Sequence, residues 1–206
     1  MSASDADTAS RSPLLVVISG PSGVGKDVVL DSMRKSQPQM AYAITATTRQ
    51  KRKGEVHGRN HFFYSRAQFL DLMERNEFLE HANVYGNLYG VPKEQVRQAM
   101  AEGKDAVVRI DVQGAATVRK LAPDALLIFI AAPSMEELER RLTSRNTESP
   151  EQLAIRIRTA RDEVRESSWF DCVVVNETDQ VENTVAQIVK AIDEQRHRQP
   201  PRVVKL

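Results

Sequence analysis

The chain has 206 residues, 41% of them hydrophobic, with 29 Lys and Arg against 28 Asp and Glu and a formal net charge of +1. This length suits one α/β domain with room for insertions, and near-neutrality excludes a global field for nucleic acid or an anionic membrane, so anion binding must be local. No run reaches the roughly 18 apolar residues of a membrane span, and the one cysteine, Cys172, cannot form an internal disulfide, so a cytoplasmic protein without nucleic-acid or membrane partners is expected.

Residues 1–12 are acidic and rich in small residues, without a basic start or an export-length apolar run, and read as a disordered leader. Four short apolar runs then read as buried strands: LLVVIS (14–19), DAVVRID (105–111), ALLIFIA (125–131) and FDCVVV (170–175). Cys172 in the last of these is expected to be a buried small hydrophobe. Helical patterns separate the runs, which is the alternation of a parallel sheet with crossover helices. Ser65 with Gln68 and Ser134 with Glu137 fit capping boxes, Pro92 marks a first helical turn and Gly103 the stop of that helix.

Between residues 42 and 98 the pattern changes to alternating and aromatic runs around one short helix, SRAQFLDLMERN. This reads as a small mixed insertion hung on a core made of residues 13–41 and 99–196. A polar segment, SRNTESPEQ (144–152), joins two Arg-rich helices and suits a mobile lid at about 142–160, while 197–206 reads as a flexible tail.

The first strand runs into Gly20-Pro21-Ser22-Gly23-Val24-Gly25-Lys26, and a helix follows. In that context glycines let the backbone wrap a β-phosphate, amides point inward, the helix N-terminus adds its dipole and Lys26 follows the transferred group. The loop ends on Asp27, where a phosphate-binding loop ordinarily carries a hydroxyl. A carboxylate is a harder Mg²⁺ ligand but repels bare phosphate, so Asp27 is expected to ligate Mg²⁺ and to make nucleotide binding metal-dependent; its other reading is an acid at a helix N-terminus.

Residues 45–64, TATTRQKRKGEVHGRNHFFY, gather five Arg and Lys residues around glycines, suited to a second phosphate facing ATP. From Leu14 to about Glu194 the chain resembles the guanylate kinase family: the loop GPSGVGK, TTRQKRKGEVHG, NEFLEHANVYGNLYG, IDVQGA, IFIAAPS, ELERRLTSRNTES and VVVNETD occur in that order. The resemblance implies a P-loop core with a parallel sheet, an inserted mixed α/β acceptor-binding domain and a lid, catalysing transfer of the ATP γ-phosphate to GMP or dGMP with Mg²⁺, as a monomer or homodimer. It implies that Arg49, Arg52 and Tyr89 hold the acceptor phosphate, that Glu80 and Thr45 meet the guanine edge, and that Asp111 stands near metal and acceptor. Arg141, Arg145 and Arg156 would neutralise the phosphates, with Arg145 and Asn176 near adenine.

Three residues depart from the family pattern in the acceptor pocket: His61 for a tyrosine on the phosphate, Val91 for a serine or threonine at the base, and Arg109 for an aspartate. Losing a base-edge partner weakens discrimination. Asp27 and Val91 also occur in ribose 1,5-bisphosphate phosphokinases of this fold, which leaves that activity, or a kinase for another nucleoside monophosphate, as the alternative. A non-catalytic binding module of the same fold fits less well, because Lys26 and the lid arginines persist.

Overall fold

The computed structural model describes residues 12–84, 86–144 and 149–206. Residues 1–11 of the expected leader, and residues 145–148 of the expected lid with the candidate Arg145, lie outside the described residues. Along the chain, β1 (Leu15–Ser19) leads into α1 (Lys26–Ser36) and β2 (Ala41–Tyr42), followed by β3 (Ala46–Thr47), β4 (Phe62–Phe63), α2 (Arg66–Glu74), β5 (Phe78–Val84) and β6 (Asn87–Pro92). The remainder runs α3 (Lys93–Ala101), β7 (Ala106–Arg109), α4 (Val112–Leu121), β8 (Leu126–Ala131), α5 (Met135–Thr143), α6 (Pro150–Arg165), a 3-10 turn at Glu166–Trp169, β9 (Cys172–Val175) and α7 (Val181–Arg196).

The four apolar runs, joined by β2 at one edge, form one five-stranded parallel sheet in the order β2-β7-β1-β8-β9. Alternate residues serve opposite faces: Val16, Ile18, Ile128 and Ile130 pack with Met33 and Ile188, while Leu15, Val17, Leu127 and Phe129 pack with Val96 and Val118. Burial on both sides explains why these strands read as continuous apolar runs rather than alternating ones. The sheet's two edges depart from the sequence reading. β2 pairs with β7 in the main sheet, at the point where the sequence reading places the start of the insertion. β9 is an edge strand, which leaves Val173 exposed and Cys172 only partly buried; its thiol pKa is still pushed up, chiefly by loss of solvent.

The insertion carries a second sheet, β4-β3-β6-β5, in which β3 pairs parallel with β4 and antiparallel with β6. Phe69 of α2 is fully buried and stacks on Phe78 with ring centroids 4.4 Å apart, giving the insertion its own small core. Gln95 of α3 ties it to the core by bonding both ways with the Ile44 backbone, donating to its carbonyl and accepting from its N–H at 2.7 Å each.

Side-chain caps open α2, α4, α5 and α6. Ser65 and Gln68 close a full capping box, and α3 ends just before Gly103, whose φ is +71°. Pro92, expected where a first helical turn begins, is the N-cap of α3. Ser134 accepts from the Glu137 N–H at 3.2 Å, but the Glu137 side chain turns to Arg140, Arg141 and Thr178. Three charged or hydroxyl donors outweigh one backbone amide. A box at Ser149 and Gln152, with Pro150 in the first turn, opens α6.

The tail differs most from the sequence reading. Arg202 is 5% exposed, donates to the carbonyls of Ala125 and Asp124 and to Gln195, and pairs with Asp171 at 3.2 Å. Val204 and Leu206 pack against the core. Residues 197–206 therefore include an anchored strap, because one arginine finds the carbonyls where β8 begins.

Candidate functional site

The loop between β1 and α1 takes its shape from backbone conformations that side chains resist. Gly25 has φ +98°, and a Cβ there would lie 2.7 Å from the Asn176 amide nitrogen, so both conformation and space require glycine. Asn176 is 5% exposed; its amide donates to the Val24 carbonyl at 2.8 Å and its oxygen accepts from Thr184 Oγ1 at 3.0 Å. Expected near adenine, Asn176 is held beneath the loop, since its donor and acceptor are both engaged in the interior. Arg141 also reaches inward, donating to Val24 O at 3.3 Å and to Asn176 O and Thr178 Oγ1 at 3.0 Å each, with Glu137 fixing its Nε at 2.7 Å.

Lys26 folds back over the loop and donates to the carbonyls of Gly20 and Pro21 at 2.5 and 2.9 Å. Loss of solvent is the largest influence on it and lowers its pKa to about 8; Arg109 pushes the same way, while Glu163, Asp27 and Asp111 oppose. An anion in the loop would meet a lysine without a strong carboxylate partner. Two side chains of α6 meet Ser22: Arg156 donates to its hydroxyl at 3.0 Å and the Glu163 carboxylate accepts its N–H at 3.1 Å. Burial raises the Glu163 pKa. Sequence reasoning missed Glu163, which stands in the charged run RTARDEVRE; only its position on the lid helix opposite the loop singles it out.

Across the cleft, Arg49 is clamped by Glu55 through two hydrogen bonds at 2.8 and 3.0 Å, and the Arg52 N–H donates to the same carboxylate at 2.7 Å. These donors pull the Glu55 pKa down to about 2. Arg49 also lies over the Phe63 ring, 5.7 Å from its centroid. Its guanidinium is thus oriented before any phosphate arrives. Glu55 lies inside the basic motif without having been given a role; its bidentate geometry identifies it. His61 Nδ1 lies 3.2 Å from Thr45 O, and its ring meets Tyr89 edge-on at 6.4 Å. Thr45, His61, Arg109 and Asp27 share a cavity of about 270 Å³ with Arg34, Glu55 and Arg59.

Helix α4 packs against β5 through Gly114, where a Cβ would approach Glu80 Oε2 to 3.1 Å. That close approach brings Glu80 beside Asp111, whose Oδ1 caps α4 by accepting the Gly114 N–H at 2.7 Å. Loss of solvent, then the neighbouring Asp111 charge, raises the Glu80 pKa to about 7. Val91 is the expected acceptor residue that the structure takes out of the pocket. It is 2% exposed and packs with Leu79, Val112 and Ala115, because β6 turns that position toward the main core. Arg109 and Asp27, both exposed at the cleft, form an ion pair at 3.2 Å.

The family profile described as guanylate kinase matches residues 12–195. The chain belongs to the guanylate kinase family. It is 45% identical over 195 residues to guanylate kinase 2, chloroplastic/mitochondrial, of Oryza sativa subsp. japonica, covering 94% of this chain and 68% of that one. It is 43% identical over 192 residues to the guanylate kinase of Halalkalibacterium halodurans, covering 93% of each. Among solved structures it is similar to the crystal structure of guanylate kinase from Anaplasma phagocytophilum, with a TM-score of 0.71, 30% identity, and 93% and 90% of the two chains covered. The phosphate loop, the Arg49 cluster and Glu80 all lie within the matched residues, so the guanylate kinase relationship extends over both sides of the cleft.

Proposed function

We propose that this protein is an ATP-dependent guanylate kinase of the cytoplasm, transferring the γ-phosphate of ATP to GMP or dGMP. The observation that carries the reading is the pair of sites: a strand-loop-helix phosphate cradle with a desolvated Lys26, and on the insertion an oriented Arg49 and a partly buried Glu80. Arg49 and Arg52, with Tyr89 and His61, suit the acceptor phosphate, Thr45 and Glu80 its base. Ionised Glu80 accepts from an N–H edge such as guanine presents; loss of solvent and then the Asp111 charge raise its pKa to about 7, and N–H donors of a bound base would favour its ionised form. The loop amides and Lys26 receive the donor phosphates, with Arg156 and Arg141 adding positive charge from the lid side. Such a site works by position and charge, since phosphoryl transfer asks little covalent chemistry of the protein. Closure of the lid would keep water from competing as acceptor.

The donor set fits a divalent cation. Asp27 is a hard oxygen ligand, 74% exposed at the first turn of α1, and Mg²⁺ commonly takes one or two carboxylates beside phosphate oxygens and water. Among the described residues no group of three or more His, Cys, Asp or Glu forms a self-sufficient cage. When bound, Mg²⁺ would neutralise charge on the β- and γ-phosphates. Among the described residues no helix is long and apolar enough to cross a membrane.

The test is ³¹P NMR of the protein with ATP, Mg²⁺ and GMP. Equal growth of GDP and ADP resonances is the expected result, lost in Arg49→Ala. ADP with inorganic phosphate and no GDP would rule out the kinase reading.

A further inference from the structure

Asp27 and Arg109 come from separate elements, the first turn of α1 and the end of β7, and meet with Arg109 Nη1 3.2 Å from Asp27 Oδ1. Both line the cavity of about 270 Å³ between the phosphate loop and the insertion, where Arg34, Glu55, Arg59 and His61 are the other charged or titratable groups. Lys26 feels the pair as opposing influences: Asp27 raises its pKa and Arg109 lowers it. The Asp27 carboxylate thus has two possible counter-charges in one place. A guanidinium serves without metal, and a divalent cation bound there would repel Arg109 and replace it.

We propose that Arg109 is a positioning residue that acts through Asp27: it neutralises the carboxylate in the metal-free site and competes with the divalent cation for it. Arg109 therefore sets how strongly nucleotide binding depends on metal. This rests on the reading of Asp27 as a metal ligand. The physical balance is direct. An unpaired Asp27 repels metal-free phosphates and welcomes a cation, whereas a paired Asp27 does less of both. At 41% and 74% side-chain exposure, water screens the pair, so the effect is a few-fold modulation rather than an on-off switch. Exposure also leaves both side chains free to change partners without disturbing the core.

The experiment measures ADP binding by isothermal titration calorimetry with and without Mg²⁺, and takes the ratio of the two dissociation constants as the metal dependence. Four proteins are compared: the parent, Asp27→Ser, Arg109→Gln and the double variant, with thermal unfolding as a check that all are folded. The expected result is that Arg109→Gln raises the ratio about three- to fivefold, the size of an exposed ion pair. Arg109→Lys should restore the parent value. Asp27→Ser should lower the ratio, and adding Arg109→Gln to it should change nothing further, because the partner through which Arg109 acts is gone. If Arg109→Gln leaves the ratio unchanged while Asp27→Ser lowers it, the proposal is overturned and the metal-ligand reading stands. Should the Arg109 effect persist in the Asp27→Ser background, Arg109 acts on the nucleotide directly and the proposal also fails. If Asp27→Ser leaves the ratio unchanged, the metal-ligand reading fails and the proposal with it.

Discussion

Glu80 is a carboxyl that must be ionised to accept hydrogen bonds from guanine, yet its surroundings favour the neutral acid. Loss of solvent and the nearby Asp111 hold its pKa at about 7, so in the free protein about nine in ten copies are protonated at pH 6 and about one in ten at pH 8. Only the ionised fraction is competent, and apparent affinity falls with that fraction. The KM for GMP should therefore be about tenfold higher at pH 6 than at pH 8. The GMP phosphate also titrates near pH 6, so the assay is steady-state ADP release across pH 6–8 for the parent and Glu80→Gln together. In the glutamine variant the glutamate component should vanish, leaving only the phosphate's own dependence, and KM at pH 8 should rise about 10- to 100-fold through loss of charge-assisted bonds. Stability should move the other way. A carboxyl whose folded pKa is raised destabilises the fold in the ionised form; the penalty is absent below the unfolded value near 4.5 and complete above about 7. Glu80→Gln should accordingly stabilise the protein by about 3 kcal/mol at pH 8 and by almost nothing at pH 4. Identical KM-pH profiles for parent and variant would refute the reasoning.

Lys26, with its pKa at about 8, is about half protonated at pH 8, so binding of a polyphosphate should take up about half a proton. Calorimetry of ADP binding in two buffers of different ionisation enthalpy measures this uptake, and its absence would contradict the desolvated lysine. Asn176→Ala removes a donor from the buried Val24 carbonyl and should cost about 1–3 kcal/mol with a rise in ATP KM; an unchanged melting temperature would count against its role beneath the loop. Arg202→Ala strips the Ala125 and Asp124 carbonyls and Asp171 of a partner and should cost about 3 kcal/mol in urea unfolding. A change under about 0.5 kcal/mol would return the tail to the flexible segment its sequence suggests.

The parallel sheet and the phosphate loop are legible because their signals are local. A buried strand on two faces is a continuous apolar run, and Gly20, Gly23 and Gly25 stand between strand and helix where the chain must turn. The family resemblance singles out Arg49 and Glu80, whereas residue type alone marks only the basic loop 45–64 as suited to a phosphate. Burial is less legible because it depends on what packs from elsewhere. Val91 and Asn176 have plausible pocket chemistry, but β6 delivers one into the core and Thr184 holds the other there. Arg202 looks like a loose terminal charge until the β8 carbonyls are placed beside it. Asp27 and Arg109 each look anomalous alone, and only the fold joins them into one ion pair.

The most direct test of the central claim is coupled ADP release from ATP and Mg²⁺ with GMP, dGMP, AMP, UMP, dTMP and ribose 1,5-bisphosphate as acceptors. The geometry around Glu80 and Arg49 predicts kcat/KM for GMP and dGMP at least about 100-fold above every other acceptor, the discrimination expected when a site built for hydrogen bonds meets a base that leaves them unmade. A higher kcat/KM for ribose 1,5-bisphosphate or another nucleotide would contradict it, and would mean that Glu80 does not select the base.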